Sequence, residues 1–225
     1  MSYFIQIGAG AGDQDERSNY KDGFTNFIKK NIRNRNNKVL IIEANPLNLD
    51  KLKLCWRDFP NSKIYNIAIV EDNFSEKYVK LFYTKEDGPC YQVTSINKEH
   101  VKKHYPNSEI LEINVISKKI NDFLFQEVGL EKIEYLSLDV EGIDFNLIMD
   151  LDLKRFNIKN ISIEFIHFTK NQNMMVFKKL IENGYSYSGQ GFDINGYDLM
   201  FKKKMNIYLK LKTKFKLFKI LKRLT

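Results

Sequence analysis

Short apolar runs alternate with amphipathic stretches as far as residue 201. Residues 3–7 (YFIQI) read as a strand, and residues 23–34 bring Phe24, Phe27, Ile28 and Ile32 to one face at helical spacing. VLIIE (39–43) is a continuous apolar run closed by an acid, as expected of a strand covered on both faces. Pro46 suits the first turn of a helix carrying Leu49, Leu52 and Trp56, and KIYNIAIV (63–70) reads as a third strand. VKLFY and ILEINVI add two more strands with a long polar stretch between them. A helix over 117–128 follows, then a strand over 133–139, a short helix from Asp144 and a strand over 161–165. The helix over 172–183 stops at Asn183-Gly184, a C-cap pair. YSYSG and GYDLMF then form a closing antiparallel hairpin.

This order, βαβαβ, an insertion, βαβα and a last strand pair, predicts an α/β three-layer sandwich with a mainly parallel sheet. It also predicts one domain over 1–203, with 74–116 inserted on the acceptor side of the site. Ligands of open α/β sheets lie beyond the carboxyl ends of the strands. The segments to inspect are therefore 8–13, 43–46, 68–72, 139–142 and 164–168.

The first of these is IGAGAGD. Gly8, Gly10 and Gly12 stand at alternate positions and Asp13 follows at once. The dinucleotide fingerprint spaces its glycines as G-x-G-x-x-G and seats a pyrophosphate, which a neighbouring carboxylate would repel. A phosphate-free cation such as S-adenosylmethionine suits the acid. Glu43, at the end of the second strand, has the position of an acid that accepts hydrogen bonds from a ribose diol. YLSLDVEGID (135–144) places Asp139 and Glu141 at the end of a central strand. An acidic pair there can hold an acceptor hydroxyl, act as a base or bind a divalent metal. His167, just beyond ISIEF, is a further candidate base. His100 and His104 are one helical turn apart, without a third ligand near them in sequence, and no metal site is expected.

IGAGAGD, EANP, NIAI, LDVEG and ISIEF, in this order and at strand ends, resemble the FkbM family of S-adenosylmethionine-dependent methyltransferases over roughly residues 3–166. The resemblance implies a class I, Rossmann-like methyltransferase fold: a seven-stranded sheet whose last strand is antiparallel. It implies O-methylation of a carbohydrate or similar small-molecule hydroxyl, with a small-molecule or glycan acceptor as partner. Carried over by position, Gly8, Gly10, Gly12 and Asp13 would line the methionine and ribose side of the cofactor. Glu43 and Asn45 would lie at the ribose, Ala68 and Ile69 at the adenine, and Asp139 and Glu141 would face the transferring methyl. Two positions depart from the family. Gln6 stands where an Asp is usual before the first glycine, and Gly10 stands where Asn is usual. DGPCYQVTSI (87–96) is expected to roof the acceptor pocket, with Tyr91 and Ser95 available for polar contacts. An NAD-dependent oxidoreductase, or a non-catalytic membrane-docked protein that keeps the fold, would share parts of this pattern.

Charge changes the picture only at the end of the chain. Of 36 Lys and Arg, ten fall from Lys202 onward with no acid among them, leaving 26 before it against 28 Asp and Glu. Along 205–224, Ile207, Leu211, Phe215, Phe218 and Leu221 make one helical stripe flanked by lysines. That pattern predicts an amphipathic helix over 204–225 in peripheral contact with an anionic membrane surface. The near-neutral body argues against nucleic acid as a partner. No secretory leader pattern or 18-residue apolar span is visible, and Cys55 and Cys90 lack metal-type spacing. The expected location is cytoplasmic, peripheral on the inner membrane face.

Overall fold

A computed structural model describes residues 1–14, 22–32, 36–140 and 142–203. The polar stretch 15–21, Glu141 and the basic stripe over 205–224 lie outside the described residues. The chain runs β1 (Ser2–Ile7), α1 (Gly23–Asn31), β2 (Lys38–Ile42), α2 (Leu49–Trp56), β3 (Ser62–Tyr65), β4 (Ala68–Val70) and β5 (Tyr78–Tyr83). It continues through α3 (Lys98–His104), β6 (Leu111–Lys119), α4 (Ile120–Glu127), β7 (Lys132–Leu138) and α5 (Asp144–Asp150). β8 (Asn157–Glu164), α6 (Lys170–Glu182), β9 (Tyr185–Gln190) and β10 (Asp198–Lys203) complete it.

Seven strands form one sheet in the order β3-β2-β1-β7-β8-β10-β9. β10 is antiparallel to both of its neighbours, and the other pairings are parallel. This is the class I methyltransferase sheet that the sequence implied. Alternation along β1 explains why both faces are covered. Tyr3, Ile5 and Ile7 join the larger core, with residues of α4, α5 and α6, while Phe4 packs with Phe24, Ile28, Leu52 and Trp56 of α1 and α2. Burying each such side chain contributes about 1.5–3 kcal/mol. From β1 the chain winds outward through β2 and β3, then returns to β7 on the other side. The crevice at this switch point, beyond the ends of β1 and β7, is where a ligand fits.

Three boundaries differ from the sequence reading. The run 63–70 is two strands, because the Asn66 amide donates to the carbonyls of Glu43 (3.0 Å) and Ala44 (2.8 Å) and takes the chain out of the large sheet. β4 then joins a three-stranded sheet, β4-β6-β5, in which Ala68–Val70 pairs with Ser117–Lys119. That pairing occupies the backbone of 117–119, so α4 starts at Ile120 rather than at 117. α6 starts earlier than expected, at Lys170, since Thr169 and Gln172 form a reciprocal capping box.

Candidate active site

A cavity of about 490 Å³ opens at the carboxyl ends of β1, β2, β7 and β8, beside the start of β4. Its floor is the glycine loop. The backbone N–H groups of Gly8 and Ala9 both donate to the Ile42 carbonyl, at 3.0 and 3.1 Å, and so tie the loop to β2. The three glycines all line the cavity, but for different reasons. A Cβ on Gly8, whose φ is +86°, would stand 1.6 Å from the Asp139 carbonyl oxygen. A Cβ on Gly12 would stand 2.7 Å from Cys55 Sγ. Close approach at these two positions is made by the protein itself. At Gly10, φ is +53° and a Cβ would meet nothing within 4 Å. That is left-handed backbone which Asn also adopts, so the departure from the family's Asn is conformationally neutral.

Glu43 follows β2 directly and is 7% exposed. Its Oε2 accepts the Gly10 N–H and its Oε1 the Asn45 N–H, each at 2.7 Å. Burial pushes the carboxyl up to about 7 in spite of these two donors. Asn45 is buried; its Oδ1 accepts the Leu47 N–H at 3.0 Å and its Nδ2 donates to Thr94 Oγ1 at 2.8 Å. The second bond fastens the end of β2 to the roof. Ala68 and Ile69 form an apolar wall at the start of β4.

The roof is the segment expected from sequence: Cys90, Tyr91, Gln92, Thr94, Ser95 and Ile96 all line the cavity. Buried Asp87 anchors it, accepting the Val93 N–H at 2.7 Å and the Tyr105 hydroxyl at 2.8 Å. On the far side stands Asp139, whose backbone N–H donates to the Ile7 carbonyl at 3.0 Å. The turn after it is held by Asp144 Oδ1, which accepts the Val140 N–H at 3.0 Å. Glu164 reaches the same cavity from the end of β8, and Asp193 and Asn195 reach it from the loop between β9 and β10.

Two expected residues are not on the cavity. Asp13 turns outward past Gly12 and pairs with Lys29 at 2.9 Å, so it faces a lysine rather than a ligand. His167 is exposed, three positions beyond Glu164, where the chain turns toward the cap of α6. Its ring centroid lies 4.8 Å from that of His100, which lies 4.9 Å from that of His104. Among the described residues no group of three His, Cys, Asp or Glu has an arrangement that could hold a metal ion.

Sequence reasoning missed Asp22, Asn48 and Asp193, all on the cavity. Asp22 carried a readable signal: it precedes the apolar face of α1, and its Oδ2 caps that helix by accepting the Thr25 N–H at 2.6 Å. Asp193 carried none, since its loop reaches the site only through the reversed strand β10.

Among the described residues the lining holds five acids, Asp22, Glu43, Asp139, Glu164 and Asp193, and no Lys, Arg or His. Such a surface opposes a pyrophosphate and favours a cation. A sulfonium cofactor with an adenosine and an amino-acid end fits the acid lining, the apolar wall and the buried Glu43 together. A sequence model described as the methyltransferase FkbM domain matches residues 6–187. The chain belongs to the FkbM methyltransferase family. As a family member it is an S-adenosylmethionine-dependent methyltransferase.

Solved structures share the general fold at a distance. A precorrin-6y C5,15-methyltransferase from Geobacter metallireducens is 11% identical, with 91% of this chain and 80% of that chain covered and a TM-score of 0.42. A human methyltransferase 10 domain containing protein is 11% identical, covering 92% and 72% at 0.45. Aeropyrum pernix fibrillarin with natively bound S-adenosyl-L-methionine is 11% identical, covering 89% and 65% at 0.43. None of these bears on the residues of the site. No curated protein matches the sequence. Among the described residues no helix is long and apolar enough to cross a membrane.

Proposed function

We propose that this FkbM family member methylates a hydroxyl of a carbohydrate or a similar hydroxylated small molecule, and that Asp139 accepts the hydroxyl proton. The observation that carries the reading is that Asp139 lines the same cavity as the glycine loop and a roof of Tyr91, Gln92, Thr94 and Ser95. Hydroxyl and amide groups of that kind suit a polyol, and an acid opposite them suits removal of its proton.

When bound, S-adenosylmethionine would supply a sulfonium methyl to an in-line oxygen nucleophile, the carbon–sulfur bond breaking with S-adenosylhomocysteine as the neutral leaving group. The chain's share is to align and to deprotonate. Glu43 and Asn45 would hold the ribose end, Ala68 and Ile69 would cover the adenine, and the loop at Gly8 and Gly10 would border the methionine end. The roof would hold the acceptor oxygen in line with the methyl, and alignment of this kind accounts for much of a bimolecular barrier. Asp139 takes the proton as the new oxygen–carbon bond forms. The basic stripe over 205–224 supports peripheral membrane contact near a lipid-linked acceptor.

The test is a panel of neutral glycans, aminosugars, sugar phosphates, proteins and RNAs incubated with the protein and methyl-labelled S-adenosylmethionine. Label in an O-methyl ether of a glycan or small polyol is expected. Label confined to nitrogen, protein or RNA overturns the reading.

A further inference from the structure

The residue that departs most from the family is Gln6, and its surroundings assign a role to an acid elsewhere in the chain. Gln6 is 3% exposed, and its Nε2 donates to Asp22 Oδ1 at 2.8 Å. Its Oε1 is buried and has no hydrogen-bond partner among the described residues. Capping of α1 occupies Asp22 Oδ2 and leaves Asp22 itself on the wall of the cavity. Asp193 stands beside it, held by the N–H of the next residue, Gly23, at 2.9 Å. The two carboxylates repel each other, and Asp193 adds to the burial that raises Asp22. Two neighbouring acids on the wall of a cavity, one of them held from behind by a buried amide, are acceptors that call for a donor carrying positive charge.

We propose that Asp22, with Asp193, receives the α-ammonium of the cofactor's methionine moiety, so that α1 supplies the carboxylate that β1 lacks at position 6. An ammonium has three donors and no acceptor, which matches two carboxylates that reach one end of the cavity from the start of α1 and from the β9–β10 loop. Glu43 lies with Gly10 and Asn45 at the end of β2 and therefore serves the ribose end. Gln6 then orients Asp22, as an amide that bridges an acid does. The proposal rests on the cofactor and not on the identity of the acceptor.

The variant Asp22→Asn separates this role from helix capping, because Asn caps helices as well as Asp, and the Gln6 amide can present its oxygen to the new Nδ2. Titration calorimetry would compare S-adenosylhomocysteine with its analogue lacking only the α-amino group. Wild-type protein should bind the analogue roughly ten-fold to a hundred-fold more weakly than S-adenosylhomocysteine. Asp22→Asn should lose a similar factor for S-adenosylhomocysteine and stay within about two-fold of wild type for the analogue. Equal losses for both ligands would make Asp22 a structural residue and overturn the proposal, as would no loss for either. Should Asp22→Asn not fold, Asp193→Asn is read by the same comparison, with a smaller selective loss expected and an unselective one overturning the proposal. A wild-type protein that binds neither ligand overturns the cofactor assignment itself.

Discussion

The Gly10 backbone N–H donates to Glu43 Oε2 at 2.7 Å, across 33 positions of sequence. This bond makes the glycine loop and the end of β2 one unit. The carboxylate also takes the Asn45 N–H, and Asn45 in turn holds Thr94 of the roof. Floor, end of β2 and roof are thereby connected through one buried acid. Replacing Glu43 with Ala leaves two buried N–H groups without their acceptor, at about 1–3 kcal/mol each. Glu43→Ala should therefore lower the melting temperature as well as weaken S-adenosylhomocysteine binding. Unchanged values of both would contradict this connection.

The same acid gives the site a pH dependence. Burial raises Glu43 to about 7 and Asp22 to about 6, so the folded chain holds protons that the unfolded chain has released. The contribution of these two groups to stability is present in full below about pH 4 and is lost as pH rises through about 6 to 7. A ligand that brings ribose hydroxyls to Glu43 and an ammonium to Asp22 selects the ionised forms and expels those protons. S-adenosylhomocysteine affinity should rise about ten-fold between about pH 5.5 and 7.5. Calorimetry in two buffers of different ionisation enthalpy counts the protons released. A flat affinity with no release would contradict the assignment.

The glycines should respond unequally. Gly8→Ala forces a methyl group against the Asp139 carbonyl and a side chain into φ +86°. The expected cost is about 4 kcal/mol or more, enough to leave the chain unfolded in thermal melts. Gly10→Asn places a side chain into open cavity space at φ +53° and should stay within about 1 kcal/mol of the native protein. Equal behaviour of the two variants would contradict this division.

The basic end of the chain is tested separately. Removing 205–225 should abolish sedimentation with liposomes containing anionic lipid at low salt, while S-adenosylhomocysteine binding by the remaining chain stays within about two-fold. Retention of liposome binding would contradict the membrane reading.

Most of the fold was legible because a parallel sheet covered on both faces writes itself as apolar runs, as VLIIE and ISIEF do. Gly8, Gly10, Glu43, Asn45 and Asp139 were legible as places on the cavity because each follows a strand. What sequence hid was side-chain direction and long-range pairing. Asn66 ends β3 only because the carbonyls of Glu43 and Ala44 are beside it. Asp13 follows the glycines yet faces Lys29, which α1 brings in from 16 positions away. His167 lies near a strand end, but the turn into α6 carries it to His100. Asp22 carried the signal of a helix cap, which sequence reasoning passed over, and its contact with Gln6 left no mark in the sequence.

Asp139 is proposed to act on a hydroxyl bound in the cavity that the glycine loop and Glu43 share. The direct measurement is kcat for methyl transfer and the dissociation constant of S-adenosylhomocysteine, taken together for Asp139→Asn and His167→Ala. Asp139→Asn is expected to lower kcat by about 10²–10⁴-fold and to leave that dissociation constant within a few-fold, while His167→Ala changes neither. A full loss of activity in His167→Ala, with Asp139→Asn near native turnover, would contradict it.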